Sequence, residues 1–206
     1  MLLTEQQIQD RLRREGPKRG FSSFPSDYQK GVMASTILQE SDRFQKSASG
    51  QSKTYDIFLS HSTKDKELVV GTKLILEDLG YSVYIDWIED PQMSRSTVTK
   101  ETAELLQKRM QNCKSLFYAF SINSGTSKWM PWECGYFDGI KNGKVAVLPI
   151  SRNNDTSFKG TEYLGLYYYI TIQPSKAGPV RVYVRESDDS YTVYEDWMKG
   201  TKPYKW

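Results

Sequence analysis

Between residues 55 and 172 short apolar runs alternate with stretches of helical period, and this alternation constrains the fold more than any other feature of the chain. The runs are YDIFLS (55–60), YSVYID (81–86), SLFYAF (115–120), VAVLPI (145–150) and YYYITI (167–172). Each is too short for a helix and rich in aromatic or β-branched residues, as strands are. Between them Leu68, Thr72, Ile75 and Leu79 recur at helical spacing. Val98, Thr102, Leu105, Leu106 and Met110 do the same, as do Trp129, Trp132, Glu133, Tyr136, Phe137 and Ile140. Gly80 and the Asn142-Gly143 pair stand where those helices should end. Strands and helices joined by short loops imply right-handed crossovers and a parallel sheet. The expected class is therefore α/β: a flavodoxin-like five-stranded parallel sheet of order 2-1-3-4-5, flanked by helices. Strands three and four are apolar without a break, which suits strands covered on both faces. Ligands of such sheets bind at the carboxyl ends of the strands, so function is sought in the loops there.

The flanks follow other patterns. Residues 1–16 suit an amphipathic helix with Thr4 as N-cap and Ile8 and Leu12 on one face, ended by Gly16-Pro17. Ser26 is placed to cap a second helix over 27–44, and KSASGQSKT (46–54) has linker composition. Residues 179–196 alternate about an SDDS turn, the pattern of a β-hairpin. The tail beyond carries Trp197 and Trp206, and such aromatic content should pack on this domain or on a partner. Three regions result: an N-terminal helical extension and linker (1–50), the α/β domain (51–175) and a C-terminal hairpin and tail (176–206).

Composition removes several classes of function. With 206 residues, 38 % hydrophobic and 26 % charged, the chain is globular rather than disordered. Its two cysteines, Cys113 and Cys134, form no CxxC, so neither a disulfide scaffold nor a structural metal site is expected. No apolar run is long enough to span a bilayer, and MLLTEQQIQD turns polar too early for a signal peptide. A cytoplasmic protein without a membrane partner is the expectation. The net charge of +3 arises within residues 1–53, which hold nine Lys/Arg against six Asp/Glu; the rest of the chain holds nineteen of each sign. Binding a phosphate backbone needs clustered cations, so nucleic acid is not expected as a partner.

The loops exclude four familiar uses of an α/β sheet. A dinucleotide fold or a P-loop needs glycines after strand one, where this chain has Ser60-His61-Ser62-Thr63-Lys64-Asp65. A phospho-receiver needs an aspartate ending strand three, which here runs into Phe120-Ser121-Ile122. A serine hydrolase needs a histidine folded against a serine. The lone His61 has only its neighbours Ser60 and Ser62, and adjacent residues point apart. What remains is WMPWE (129–133), opening the third helix, with Ser127 as its expected N-cap and Pro131 tolerated in the first turn. Trp129 and Glu133 are four apart and share a face near the strand ends. An ordinary account is also open: buried tryptophans and a glutamate favoured by the helix dipole. Tyr118 and Phe120 read as core, Cys134 as packing, and Lys64 and Lys66 as a solvated helix start.

YDIFLSHSTKD (55–65) resembles the opening of the Toll/interleukin-1 receptor (TIR) domain family. The later motifs follow in order. YSVYIDW (81–87) resembles the family's second strand, SKWMPWECGYFD (127–138) its third-helix motif in the bacterial enzymatic form, and KVAVLPI (144–150) its fourth strand. The resemblance covers residues 53–172. It implies cleavage of NAD⁺ at the nicotinamide–ribose bond, giving nicotinamide with ADP-ribose or a cyclic isomer, hence an NAD⁺ nucleosidase or ADP-ribosyl cyclase. Glu133 matches the family's catalytic glutamate and Trp129 the tryptophan before it. Ser60, His61, Ser62, Asp86 and Trp87 are the further candidates for substrate contact.

NAD⁺ is then a substrate, and no cofactor or metal is implied. The short layout resembles the TIR component of Thoeris-type antiphage systems. That implies self-association through TIR–TIR contacts and a separate effector answering a nucleotide messenger. A non-catalytic TIR–TIR interaction module is the alternative from another class. One carboxylate is enough for this chemistry, because nicotinamide leaves as a neutral molecule and needs no general acid, unlike the leaving oxygen of an ordinary glycoside.

Overall fold

The computed structural model describes residues 1–20, 32, 36, 54–86, 99–153, 155–176 and 178–206. Apart from residues 32, 36 and 54, the helix expected over 27–44, the linker and the loop beginning at Trp87 lie outside the described residues.

The five expected strands are β2 (Tyr55–Ser60), β3 (Val83–Tyr84), β4 (Cys113–Phe120), β5 (Val145–Ser151) and β6 (Tyr168–Pro174). They pair in parallel in the order β3-β2-β4-β5-β6, which is the expected 2-1-3-4-5. Among the described residues three helices cross between them: α2 (Lys66–Asp78), α3 (Lys100–Gln111) and α4 (Trp129–Ile140). Alternate residues of the central strands serve two cores, as the pleat dictates. Ile57, Leu59, Phe117, Ala119, Ala146 and Leu148 pack beneath α2, while Phe58, Leu116, Tyr118, Val145 and Val147 pack beneath α3 and α4.

Helix α2 ends as Gly80 suggests. Gly80 takes φ +91°, its N–H donates to Glu77 O, and the Tyr81 N–H donates to Leu76 O. These are the two bonds of a Schellman stop. Strand β3 is shorter than its apolar run. Ser82 N and Oγ both donate to Asp56 Oδ2, so a side chain takes over the entry to the strand and ladder pairing starts at Val83.

Both flanks join the sheet. Thr4 caps α1 (Glu5–Glu15) in a reciprocal capping box with Gln7, and Ile8 and Leu12 are buried against α2. The residues just before it, β1 (Leu3–Thr4), pair in parallel with Ile150 and Ser151 of β5. They occupy the stretch of β5 beyond its pairing with β6, which is confined to Ala146 and Val147. Beyond β6 the expected hairpin forms as β7 (Val180–Arg185), antiparallel to β6, and β8 (Ser190–Val193), antiparallel to β7, followed by β9 (Tyr204–Lys205). Between β8 and β9 the short helix α5 (Tyr194–Met198) buries Tyr194 and Trp197. The Tyr194 hydroxyl donates to Asp56 O, and Lys144 Nζ lies 5.0 Å over the Trp197 ring. Trp206 is 70 % exposed but stacks on Tyr191. The tail therefore packs on its own domain. No described helix is long and apolar enough to cross a membrane.

Candidate functional site

Strand β2 delivers Ser60 to the carboxyl edge of the sheet, where it pairs in register with Tyr118 of β4. Helix α4 begins at Trp129 with Lys128 as its flanking residue. The Ser127 hydroxyl, one position earlier than a true cap, accepts from the Met130 N–H at 3.3 Å. Glu133 thus falls just past the first turn and is fully buried. Ser60 Oγ donates to Glu133 Oε2 at 2.6 Å, a short hydrogen bond. Met130, Cys134 and Phe137 around it are buried and apolar. A carboxylate in such a place costs stability that an apolar residue of like volume would not.

Beside this pair, His61 Nδ1 stands 2.7 Å from Leu59 O. A carbonyl only accepts, so Nδ1 carries the hydrogen and Nε2 faces Asp86 Oδ1 at 3.5 Å. Both side chains are buried. Ser62 accepts at Oγ from the Lys64 N–H and shapes the turn into α2. Trp129 is buried edge-on against Trp132, which stacks on Tyr136. Trp87 lies outside the described residues. Of the candidates, the fold joins Ser60 to Glu133 and His61 to Asp86, whereas Trp129 and Ser62 have their own local partners.

Behind Glu133 the surroundings are dry. Burial pushes the Cys134 thiol up to about 11, and the Tyr118 hydroxyl is driven well above the usual phenol range by burial and by its bond to Tyr163. Both residues pack in the core, as their strand and helix positions suggest. Among the described residues no three His, Cys, Asp or Glu converge as a metal site requires.

One constellation was not legible in the sequence. Asp65, at the start of α2, accepts from Ser121 Oγ and Asn123 Nδ2 in the loop after β4. Its only sequence signal is an aspartate placed to cap a helix, which points to a local role rather than to a partner 58 residues away.

No family model matches the chain. A Bacillus cereus (strain MSX-D12) protein named as a 3' cyclic ADP-D-ribose synthase, ThsB', is 52 % identical over 153 residues, covering 72 % of this chain and 78 % of that protein. The chain belongs to the bacterial TIR-domain family of the Thoeris type. A second relative of this TIR domain, from Cytobacillus dafuensis, is named as a cyclic ADP-D-ribose synthase, TIR2. It is 33 % identical over 85 residues, which span 41 % of this chain and 22 % of that protein. Both relatives carry those names provisionally.

Proposed function

We propose that this TIR domain cleaves the nicotinamide–ribose bond of NAD⁺ and closes the remaining ADP-ribose into a cyclic isomer that acts as a messenger in antiphage defence. The observation that carries this reading is the buried carboxylate of Glu133, held by Ser60 at the carboxyl edge of the sheet. As the bond to nicotinamide breaks, the ring nitrogen regains its electron pair and positive charge moves onto the ribose carbon. A fixed carboxylate in a dry site faces that charge without having to reorganise, an effect worth about 3–4 kcal/mol for one well-placed group. A hydroxyl of the same nucleotide then bonds to the ribose carbon and releases one proton, for which Glu133 is the acceptor. Water in that role would give linear ADP-ribose instead. The relatives' names favour ring closure, and the more similar one favours a 3' linkage.

In this reading NAD⁺ is the substrate and no cofactor is used. Ser60, His61, Asp86 and Trp87 border the sugar and phosphates, and Trp129 supplies an aromatic wall. Copies of the domain associate to complete the site, and a separate effector answers the product. Because Glu133 is fully buried, substrate must displace what covers it before turnover.

Incubation of the concentrated protein with NAD⁺, followed by chromatography and mass spectrometry, tests the proposal. Equal amounts of nicotinamide and of a nucleotide one water lighter than ADP-ribose are expected. Linear ADP-ribose as the sole nucleotide product would refute cyclisation, and absence of nicotinamide would refute the activity.

A further inference from the structure

Asp65 occupies the N-cap position of α2, where an aspartate ordinarily accepts from N–H groups of its own helix. Here its side chain makes no capping bond. The carboxylate reaches instead across the carboxyl edge of the sheet. Ser121 Oγ donates to Oδ2 at 2.5 Å, and Asn123 Nδ2 donates to Oδ1 at 2.6 Å. Asp65 and Ser121 are both buried. The loop after β4 is bonded within itself as well: the Asn123 N–H donates to Ser121 Oγ, and Ser124 Oγ donates to Ser121 O.

Ladder pairing between β2 and β4 ends at Ser60 and Tyr118. Past that point the chain runs from Ser60 to Asp65 on one side. On the other it runs from Asn123 through the turn Ser124–Thr126 to the start of α4. Ser60 and Glu133 therefore hang on short tethers from the two ends of the Asp65 bonds. We infer that Asp65 is a positioning residue for the proposed NAD⁺ reaction, clamping these two loops so that Ser60 holds the Glu133 carboxylate in register with the sugar. The inference rests on the reading of Glu133 given above.

The clamp has a polarity. A carboxylate accepts at both oxygens, which suits the two donors it meets. Asp65→Asn alone can keep both bonds, its amide oxygen accepting from Asn123 and its nitrogen donating to the Ser121 hydroxyl, which accepts as well as donates; Asp65→Ala removes both. Asn123→Asp would set two carboxylates face to face. With both changes together, donor and acceptor trade places and both bonds form again.

The test is kcat and KM for NAD⁺ in the full chain for wild type, Asp65→Ala, Asn123→Asp and the double variant Asp65→Asn/Asn123→Asp, with Glu133→Gln in the same series. Asp65→Ala and Asn123→Asp should each lower kcat about 10- to 100-fold with KM little changed, as expected for misplacement of a reacting group by up to an ångström. The double variant should recover most of kcat, a rescue that general loss of stability does not produce. Wild-type kcat in Asp65→Ala, or a folded double variant as slow as the single ones, overturns the clamp. Should Asp65→Ala not fold, Ser121→Ala removes one of the two bonds to Asp65 and should show a smaller fall in kcat; an unchanged kcat there is equally damaging. If wild type and Glu133→Gln alike release no nicotinamide, it is the activity that fails. A crystal structure of Asp65→Ala then decides the clamp by itself: the Ser60–Glu133 contact should open beyond hydrogen-bond distance, and a contact kept at 2.6 Å overturns the inference.

Discussion

Replacing Gly71 with alanine measures how closely α1 is seated on α2. Inside a helix, alanine is normally better than glycine by about 1 kcal/mol. At Gly71 the sign should reverse. A Cβ there would stand 2.5 Å from Ile8 Cγ2 and 2.8 Å from the Ile8 carbonyl oxygen. Ile8 is fully buried, so its side chain has little room to turn, and its carbonyl moves only if α1 moves. Overpacking by a methyl group costs about 1–3 kcal/mol. After the propensity gain the net loss is up to about 2 kcal/mol, and a backbone contact places it near that limit. At about 2–4 °C per kcal/mol for a chain of this size, Tm should fall by about 4–8 °C in scanning calorimetry. Gly135→Ala is the control, because it lies mid-helix in α4 with nothing within 4 Å of the new carbon. It should raise Tm by about 2–4 °C. A rise in Gly71→Ala equal to that of Gly135→Ala would refute the close seating of α1.

Other perturbations separate the parts of the account. Ser60→Ala deprives the buried Glu133 carboxylate of its donor, a bond to a charged group worth about 1.5–3 kcal/mol, so NAD⁺ turnover should fall at least about tenfold; unchanged turnover would remove Ser60 from the site. Cys134 should resist iodoacetamide at pH 8 in the folded protein and react in denaturant, because burial and a thiol pushed up to about 11 leave almost no thiolate; mass spectrometry of the native protein checks this. Its bond to Arg11 holds the Asp78 carboxyl below the usual carboxylate range. The stability it gives is present above the unfolded pKa and is lost as pH falls through the lower folded value. Tm of wild type should therefore decline more steeply than that of Asp78→Asn between about pH 5 and pH 3, and parallel curves would contradict the pairing.

The central layout was legible because it is written in local pattern. The five apolar runs became the five parallel strands, Gly80 became a left-handed helix stop, and Thr4 became a cap. Glu133 stood out because SKWMPWECGYFD resembles the third-helix motif of the TIR family; the residues alone left open a glutamate favoured by the helix dipole. Features that depend on distant partners were not legible. The two residues of β1 carry no periodicity, and only the gap beside β5 gives them a role. Strand β3 is shorter than its run, and the bond from Ser82 to Asp56, 26 residues away at its entry, carries no local sequence signal. His61 meets Asp86, and Asp65 meets Asn123, only after the sheet has formed. Ser127 was misplaced by a single residue: helix geometry puts Lys128 next to the first turn, yet the serine still reaches the Met130 N–H.

The most direct measurement is NAD⁺ turnover by Glu133→Gln beside wild type, with melting curves to show that both are folded. Glutamine keeps the shape and can still accept from Ser60, but it carries no charge to face the ribose cation. The account predicts a folded variant that releases nicotinamide at least about 100-fold more slowly. Nicotinamide release at the wild-type rate would contradict it.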